Sequence, residues 1–174
     1  VDHLEKPDRM IYDLDPPHDE EGFELAVKSA KLVRNKLEER YSLHPFVMTT
    51  GSAGLHVIVP IEPELDFDEV RERAVEIAEE IARENPDFTT TEIRKEKRKG
   101  KVFLDTVRNS YGQTTVAPYS VRPRPGAPVA TPLSWDELDN PDLSPRSYTV
   151  KNIFRRLAQK EDPWKDFVRR RAGF

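Results

Sequence analysis

The stretch Pro45-Phe46-Val47-Met48-Thr49-Thr50-Gly51-Ser52-Ala53-Gly54-Leu55-His56-Val57-Ile58-Val59-Pro60 reads as two strands around a tight turn. β-Branched and aromatic residues fill both arms, and two glycines punctuate the middle, so residues 45–60 predict a β-hairpin. Moving outward, each arm is flanked by helical periodicity. On the N-terminal side, Phe23, Ala26, Val27, Ala30, Val33 and Leu37 recur at helical spacing from Gly22 to about Arg40. On the C-terminal side, Asp66 is placed to cap a second helix carrying Val70, Ala74, Ile77, Ala78 and Ile81, which ends near Asn85-Pro86. Further out lie two more apolar runs, Arg9-Met10-Ile11-Tyr12-Asp13-Leu14 and Lys101-Val102-Phe103-Leu104-Asp105. Pro16 and Pro17 end the first, because proline neither continues a helix nor donates to a ladder. The order strand, helix, hairpin, helix, strand is that of the split βαβ, ferredoxin-like and RNA-recognition folds. We therefore expect an α+β protein with a mainly antiparallel sheet, both helices on one face, and the other face free for a site. Residues 1–9 read as an arm, Thr114–Val121 as extended, 122–146 as proline-rich loop, and Ser147–Gln159 and Trp164–Arg171 as closing helices.

Composition narrows the chemistry. The 174-residue chain contains no cysteine, which excludes disulfides, thiolate metal sites and cysteine nucleophiles. Its start has no signal-like pattern and no apolar run approaches the length of a membrane span, so we expect a cytoplasmic protein without a membrane partner. The net charge of −4 is not that of a generic nucleic-acid binder. The charges are segregated, however: acidic residues crowd 13–39 and 62–92, whereas basic ones crowd 94–108 and recur at 122–124 and 151–171. Two solvated faces would give the same segregation, and so would an acidic metal site beside a phosphate-binding strip.

Asp13 and Asp15 stand two apart at a strand end and so project to the same face. Two ionised carboxylates that close repel unless a cation lies between them, and their oxygens suit Mg²⁺ or Mn²⁺. By itself the triplet also fits a turn cap beside a solvated carboxylate. Asp105 ends a strand that a split βαβ sheet places beside the first, and three carboxylates suit a two-metal phosphoryl-transfer site. The Gly51–Gly54 turn exposes backbone amides as an anion nest, with His56 just after it. It is not a Walker loop, since no Gly-Lys-Ser/Thr follows, and a plain hairpin remains the competing account. Arg94, Arg98, Lys101, Arg108 and Arg124 are candidates for nucleic-acid contact, and Arg122, set between prolines, for gripping a phosphate.

Taken together these segments resemble a known family. The run Asp8-Arg9-Met10-Ile11-Tyr12-Asp13-Leu14-Asp15-Pro16, the turn Thr50–Pro60, the segment Arg98-Lys99-Gly100-Lys101-Val102-Phe103-Leu104-Asp105-Thr106-Val107-Arg108-Asn109, the segment Gln113–Val129 and the run Leu133-Ser134-Trp135-Asp136-Glu137-Leu138 are similar, in order and spacing, to the primase-polymerase domain of prokaryotic ligase D systems. That family belongs to the archaeo-eukaryotic primase superfamily. The resemblance implies a metal-dependent nucleotidyltransferase of DNA polymerase-primase type acting in break repair by non-homologous end joining. Asp13, Asp15 and Asp105 would be catalytic metal ligands for Mn²⁺ or Mg²⁺. Ser52, His56 and Arg122 would bind the incoming nucleoside triphosphate. DNA ends, gapped or overhanging, would be the second substrate, and a DNA ligase and an end-binding protein the partners. The chain departs from its relatives in two ways. They carry a longer N-terminal portion before the Asp-x-Asp strand, so residues 1–174 are expected to form one catalytic domain lacking that portion. Many of them also have lysine where Ala53 stands. The alternative is a non-catalytic nucleic-acid or nucleotide-binding module, or a subunit completed by a separate N-terminal portion.

Overall fold

The computed structural model describes residues 4–19 and 21–174. Of the expected arm over 1–9, residues 1–3 lie outside the described part. The elements run β1 (Arg9–Asp15), α1 (Gly22–Tyr41), β2 (Phe46–Thr49), β3 (Leu55–Pro60), α2 (Phe67–Glu84), β4 (Thr89–Thr90), β5 (Val102–Asp105), β6 (Thr131–Leu133) and α3 (Ile153–Gln159). They build a mixed α+β structure around one six-stranded sheet of order β4-β5-β1-β3-β2-β6. The β1–β3, β1–β5, β2–β3 and β2–β6 pairs are antiparallel, and β4–β5 is parallel.

Local chemistry sets the helix ends. Asp66 accepts from the Glu69 N–H while the Glu69 carboxylate accepts from the Asp66 N–H, a reciprocal capping box that starts α2. Helix α1 stops at Ser42, which is left-handed at φ 55° and donates its N–H to the Leu37 carbonyl. The buried stripes Ala26–Ala30–Val33–Leu37 of α1 and Val70–Ala74–Ile77–Ala78–Ile81 of α2 share one cluster with Met10, Tyr12, Leu14, Val57 and Leu104 of the sheet. Both long helices therefore cover the same face, as the sequence predicts.

The opposite face is only partly free. A second cluster of Ile11, Met48, Ile58, Ala130 and Trp164, with Phe46, Val116 and Phe167 against it, closes part of that face. Trp164 stacks on Phe167 at 5.3 Å and donates its indole N–H to the Val47 carbonyl at 3.1 Å. The expected open face is thus corrected to a half-covered one, because the C-terminal aromatics bury their area there.

Other expectations shift as well. Within the proline-rich 122–146 segment, residues 131–133 form β6. Pro132 is tolerated there because β6 is an edge strand paired only with β2. Thr114–Val121 is irregular: its one ladder contact among the described residues is the isolated bridge Val121↔Val129, and Tyr119 takes a left-handed φ of 63° just after Pro118. The closing helices are shorter than their periodicity suggests. Asn152 accepts from the Thr149 N–H, so α3 begins at Ile153, and after Pro163 the chain makes only a 3-10 turn at Val168–Arg170.

Candidate active site

Strand alternation sorts the side chains. Met10, Tyr12 and Leu14 of β1 face the helices, which sends Ile11, Asp13 and Asp15 to the other side. The same alternation turns His56 of β3 and Asp105 of β5 to that side. Register then aligns them, since Asp13 pairs with His56 on one flank and with Asp105 on the other. The result is one row, Asp105–Asp13–His56, across three strands. Asp15 stands in the next same-face row, opposite Phe103.

Each group in the row has partners. His56 is buried, with Nε2 3.3 Å from Asp13 Oδ1 and Nδ1 3.4 Å from the Thr115 hydroxyl. Arg108 Nε approaches Asp13 Oδ2 at 3.5 Å from the other side. Asp105 Oδ1 accepts the Val107 N–H at 2.8 Å. Arg98 donates to Asp15 at 2.7 Å, lies 4.0 Å over the Phe103 ring and also donates to the Glu92 and Ile93 carbonyls.

The hairpin turn forms the far wall. Gly51 has φ +67°, and Gly54 lies so close to β1 that a Cβ there would sit 2.0 Å from the Leu14 carbonyl oxygen. The Thr50 hydroxyl donates to the Gly54 carbonyl and accepts the Ser52 N–H, while Arg146 donates to the Ser52 carbonyl at 2.9 Å. Arg122 crosses Gly51, and its Nε is buried with no hydrogen-bond partner among the described residues. A buried guanidinium donor without a partner is costly unless a ligand supplies an acceptor.

These walls enclose a cavity of about 490 Å³ lined by Asp13, Asp15, Asp105, Ser52, His56, Arg108 and Arg122, together with Thr50, Thr114, Thr115 and neighbouring residues. Its carboxylates differ in acidity. Burial pushes Asp105 up, and the charge of Asp13 adds to this, together outweighing the Val107 N–H and the arginines. Burial opposes ionisation of Asp13 too, but His56 and Arg108 outweigh it and hold that carboxyl below the usual range. The two carboxylates stand in cross-strand register, and burial more than the Asp13 charge keeps Asp105 the less acidic of the pair. As hard oxygen donors they fit a divalent cation such as Mg²⁺ or Mn²⁺. Among the described residues, no group of three or more acidic or histidine side chains converges on a single ion position. Arg98 holds Asp15, and the Val107 N–H holds one oxygen of Asp105.

The catalytic and nucleotide-binding candidates thus share one cavity, and Arg108 joins them there rather than lying on an outer strip. Arg98 is tied to Asp15. Arg94 and Arg124 are exposed and Lys101 half-buried, all outside the cavity lining. Sequence reasoning did not single out Thr50, Thr114, Thr115 or Arg146. Hydroxyls in irregular loops carry no periodic signal, and Arg146 reaches Ser52 across 94 residues. Among the described residues no helix is long and apolar enough to cross a membrane.

Comparison with known proteins bears on this geometry. The family model described as "LigD, primase-polymerase domain" matches residues 1–164. The chain is 35% identical over 168 residues to the multifunctional non-homologous end joining protein LigD of Pseudomonas aeruginosa, covering 95% of this chain and 20% of that protein. It is 30% identical over 165 residues to the bifunctional LigD of Bacillus subtilis, covering 94% of this chain and 26% of that one. The chain therefore spans about a fifth to a quarter of the length of these relatives. Among solved structures, the polymerase domain of Mycobacterium tuberculosis ligase D in complex with DNA superposes with a TM-score of 0.85 at 32% identity, covering 96% of this chain and 57% of that one.

Proposed function

Since the chain belongs to the LigD primase-polymerase domain family, we propose that it is a metal-dependent nucleotidyltransferase that adds nucleotides to DNA ends during non-homologous end joining. The observation that carries this reading is the Asp105–Asp13–His56 row opening into a cavity with the unpartnered Arg122 Nε. Asp13 and Asp105, joined by Asp15 once it leaves Arg98, would hold Mn²⁺ or Mg²⁺, which when bound lowers the charge barrier to attack and to pyrophosphate departure. The remaining work is positioning. The Ser52 turn and Arg122 bind triphosphate oxygens, the guanidinium offering donors that the protein leaves unused. With its Nε2–H directed at Asp13, His56 leaves Nδ1 to accept the Thr115 hydroxyl, which fixes the ring's orientation and tautomer at the cavity floor. Polymerisation asks little covalent chemistry of the protein, so preorganised charge of this kind suffices.

We read the β5-β1-β3-β2 core as the split βαβ, ferredoxin-like sheet, supported by its order and antiparallel pairing. Arg94, Lys101 and Arg124, outside the cavity, are free to meet the phosphates of a DNA end, and the DNA-bound neighbour supports that partner. A ligase and an end-binding protein are the further partners we propose. A module that only binds nucleic acid has no need of two half-buried carboxylates in register, so the catalytic reading is favoured over the binding one. The test is primer extension on a gapped or overhanging duplex with Mn²⁺ and all nucleotides. The expected result is extension by wild type and none by Asp13→Ala/Asp15→Ala. Equal extension by both, or none by wild type, would sink the reading.

A further inference from the structure

Strand β5 leaves the sheet just after Asp105, and a side chain takes over its place. The β1–β5 ladder contains Asp13↔Asp105, Leu14↔Leu104 and Asp15↔Phe103. Had β5 continued, Val107 would have faced Ile11, two residues further along β1. Instead the chain folds into a 3-10 turn, Val107–Asn109. The Asn109 side chain returns to β1: its Oδ1 accepts the Ile11 N–H at 2.8 Å and its Nδ2 donates to the Ile11 carbonyl at 2.8 Å. These are the two backbone bonds that a directly paired strand residue makes. The second Nδ2 hydrogen goes to the Thr106 carbonyl at 2.8 Å, tying the amide to its own turn. Asn109 is only 3% exposed, so every one of these bonds is made away from water.

The turn that Asn109 closes holds two groups of the site. Val107 donates its N–H to Asp105, and Arg108 reaches Asp13. We propose that Asn109 is a positioning residue: by standing in for a strand partner of Ile11 it lets β5 end at Asp105 and fixes the turn that sets both Asp105 and Arg108. The role requires an acceptor and two donors on a short stem. Serine has one donor and falls short of β1, and leucine fills the volume with neither. This inference rests on the nucleotidyltransferase reading for its effect on catalysis, but not for its effect on the turn.

The test compares Asn109→Leu and Asn109→Ser with Val33→Ala, a helix-face change of buried α1 that lowers stability without touching the site. Two readouts are needed. The first is amide hydrogen exchange at Val107, which is expected to quicken at least about tenfold in either Asn109 variant relative to Val33→Ala. The second is single-nucleotide extension, where kcat per folded molecule is expected to fall about tenfold or more with the nucleotide KM within about twofold, because Ser52, His56 and Arg122 are untouched. Unchanged Val107 exchange would overturn the proposal. Faster exchange with a kcat equal to that of Val33→Ala would reduce Asn109 to a structural plug and overturn its role in the reaction. If Asn109→Leu fails to fold, Asn109→Ser, which leaves room for water, decides. Absence of extension by wild type would count against the polymerase reading alone, and the exchange arm would still decide whether Asn109 holds the turn.

Discussion

The two faces of this sheet follow the same alternation and arrive at opposite ends. The helix face is largely apolar: Met10, Tyr12, Leu14, Val57 and Leu104 are each at most 1% exposed and close against α1 and α2. The other face divides. Toward β2 it is sealed by Trp164 and Phe167, and toward β1 and β5 it opens on carboxylates, a histidine and arginines. Strand β1 therefore contributes to stability with Met10, Tyr12 and Leu14, and to chemistry with Asp13 and Asp15 between and beyond them. Substitutions one position apart should separate the two properties.

The largest effect expected on the open face is on rate. Asp105→Asn keeps an oxygen to accept the Val107 N–H but removes a charge that a cation needs. Extension activity should fall on the order of 10³-fold. The metal-free protein should become slightly more stable, since burial and the Asp13 charge both oppose ionisation of Asp105. Thermal melts in chelator beside primer extension measure both. A variant that lost activity and stability together would break the division between the faces. On the covered face, Ile77→Ala should cost about 3 kcal/mol of unfolding free energy through the cavity it leaves, with kcat per folded molecule unchanged.

A charge network holds α3 to the β6 edge of the covered half. Glu137 accepts from Arg156 and Lys160 and from its capping partner Ser134, and Arg156 also donates to the Pro132 carbonyl of β6. Burial raises the Glu137 pKa, but these donors outweigh it and hold it down at about 2. Because that value lies below the unfolded one, the network's stabilisation is complete above about pH 4.5 and is lost as pH falls toward about 2. Allowing for solvent, about 2 kcal/mol should disappear across this window. The loss should be smaller in Glu137→Gln. Since α3 leads into the Trp164 cover, tryptophan fluorescence should shift before far-ultraviolet dichroism changes. Coincident transitions would show that the cover is not separately tethered.

Much of this architecture was legible because periodicity is a local signal. The stripes of α1 and α2, the hairpin, and the strands bearing Asp13 and Asp105 all stand out in short windows. Alternation and neighbouring strand order pointed to Asp13 beside Asp105, whereas His56 was reached only through the glycine turn before it, and the register that aligns it with Asp13 appears only in the structure. What escaped depends on distant contacts. Pro132 argues against a strand until β6 is known to lie at an edge. Thr114–Val121 has strand-like composition but, among the described residues, lacks a strand partner beyond one bridge. The binding of Asp15 by Arg98 spans 83 residues, and no spacing rule anticipates that a residue of the basic loop turns inward.

The smallest effect expected is also the most local. Gly51 and Gly100 both have positive φ, +67° and +74°, so alanine at either strains the backbone by about 1 kcal/mol. The two differ in what a new methyl group meets. At Gly100 nothing among the described residues lies within 4 Å, whereas at Gly51 it would stand 2.7 Å from Arg122 Cγ, with the Ala130 backbone nitrogen at 3.2 Å. Arg122 must therefore move, taking its unpartnered Nε with it. Gly51→Ala should raise the nucleotide KM several-fold beyond anything seen in Gly100→Ala, and should also lose more stability because of its contacts. Equal KM values in the pair would mean that the Arg122 guanidinium tolerates displacement. The open face would then be set by its carboxylate row more than by the arginine across the hairpin turn.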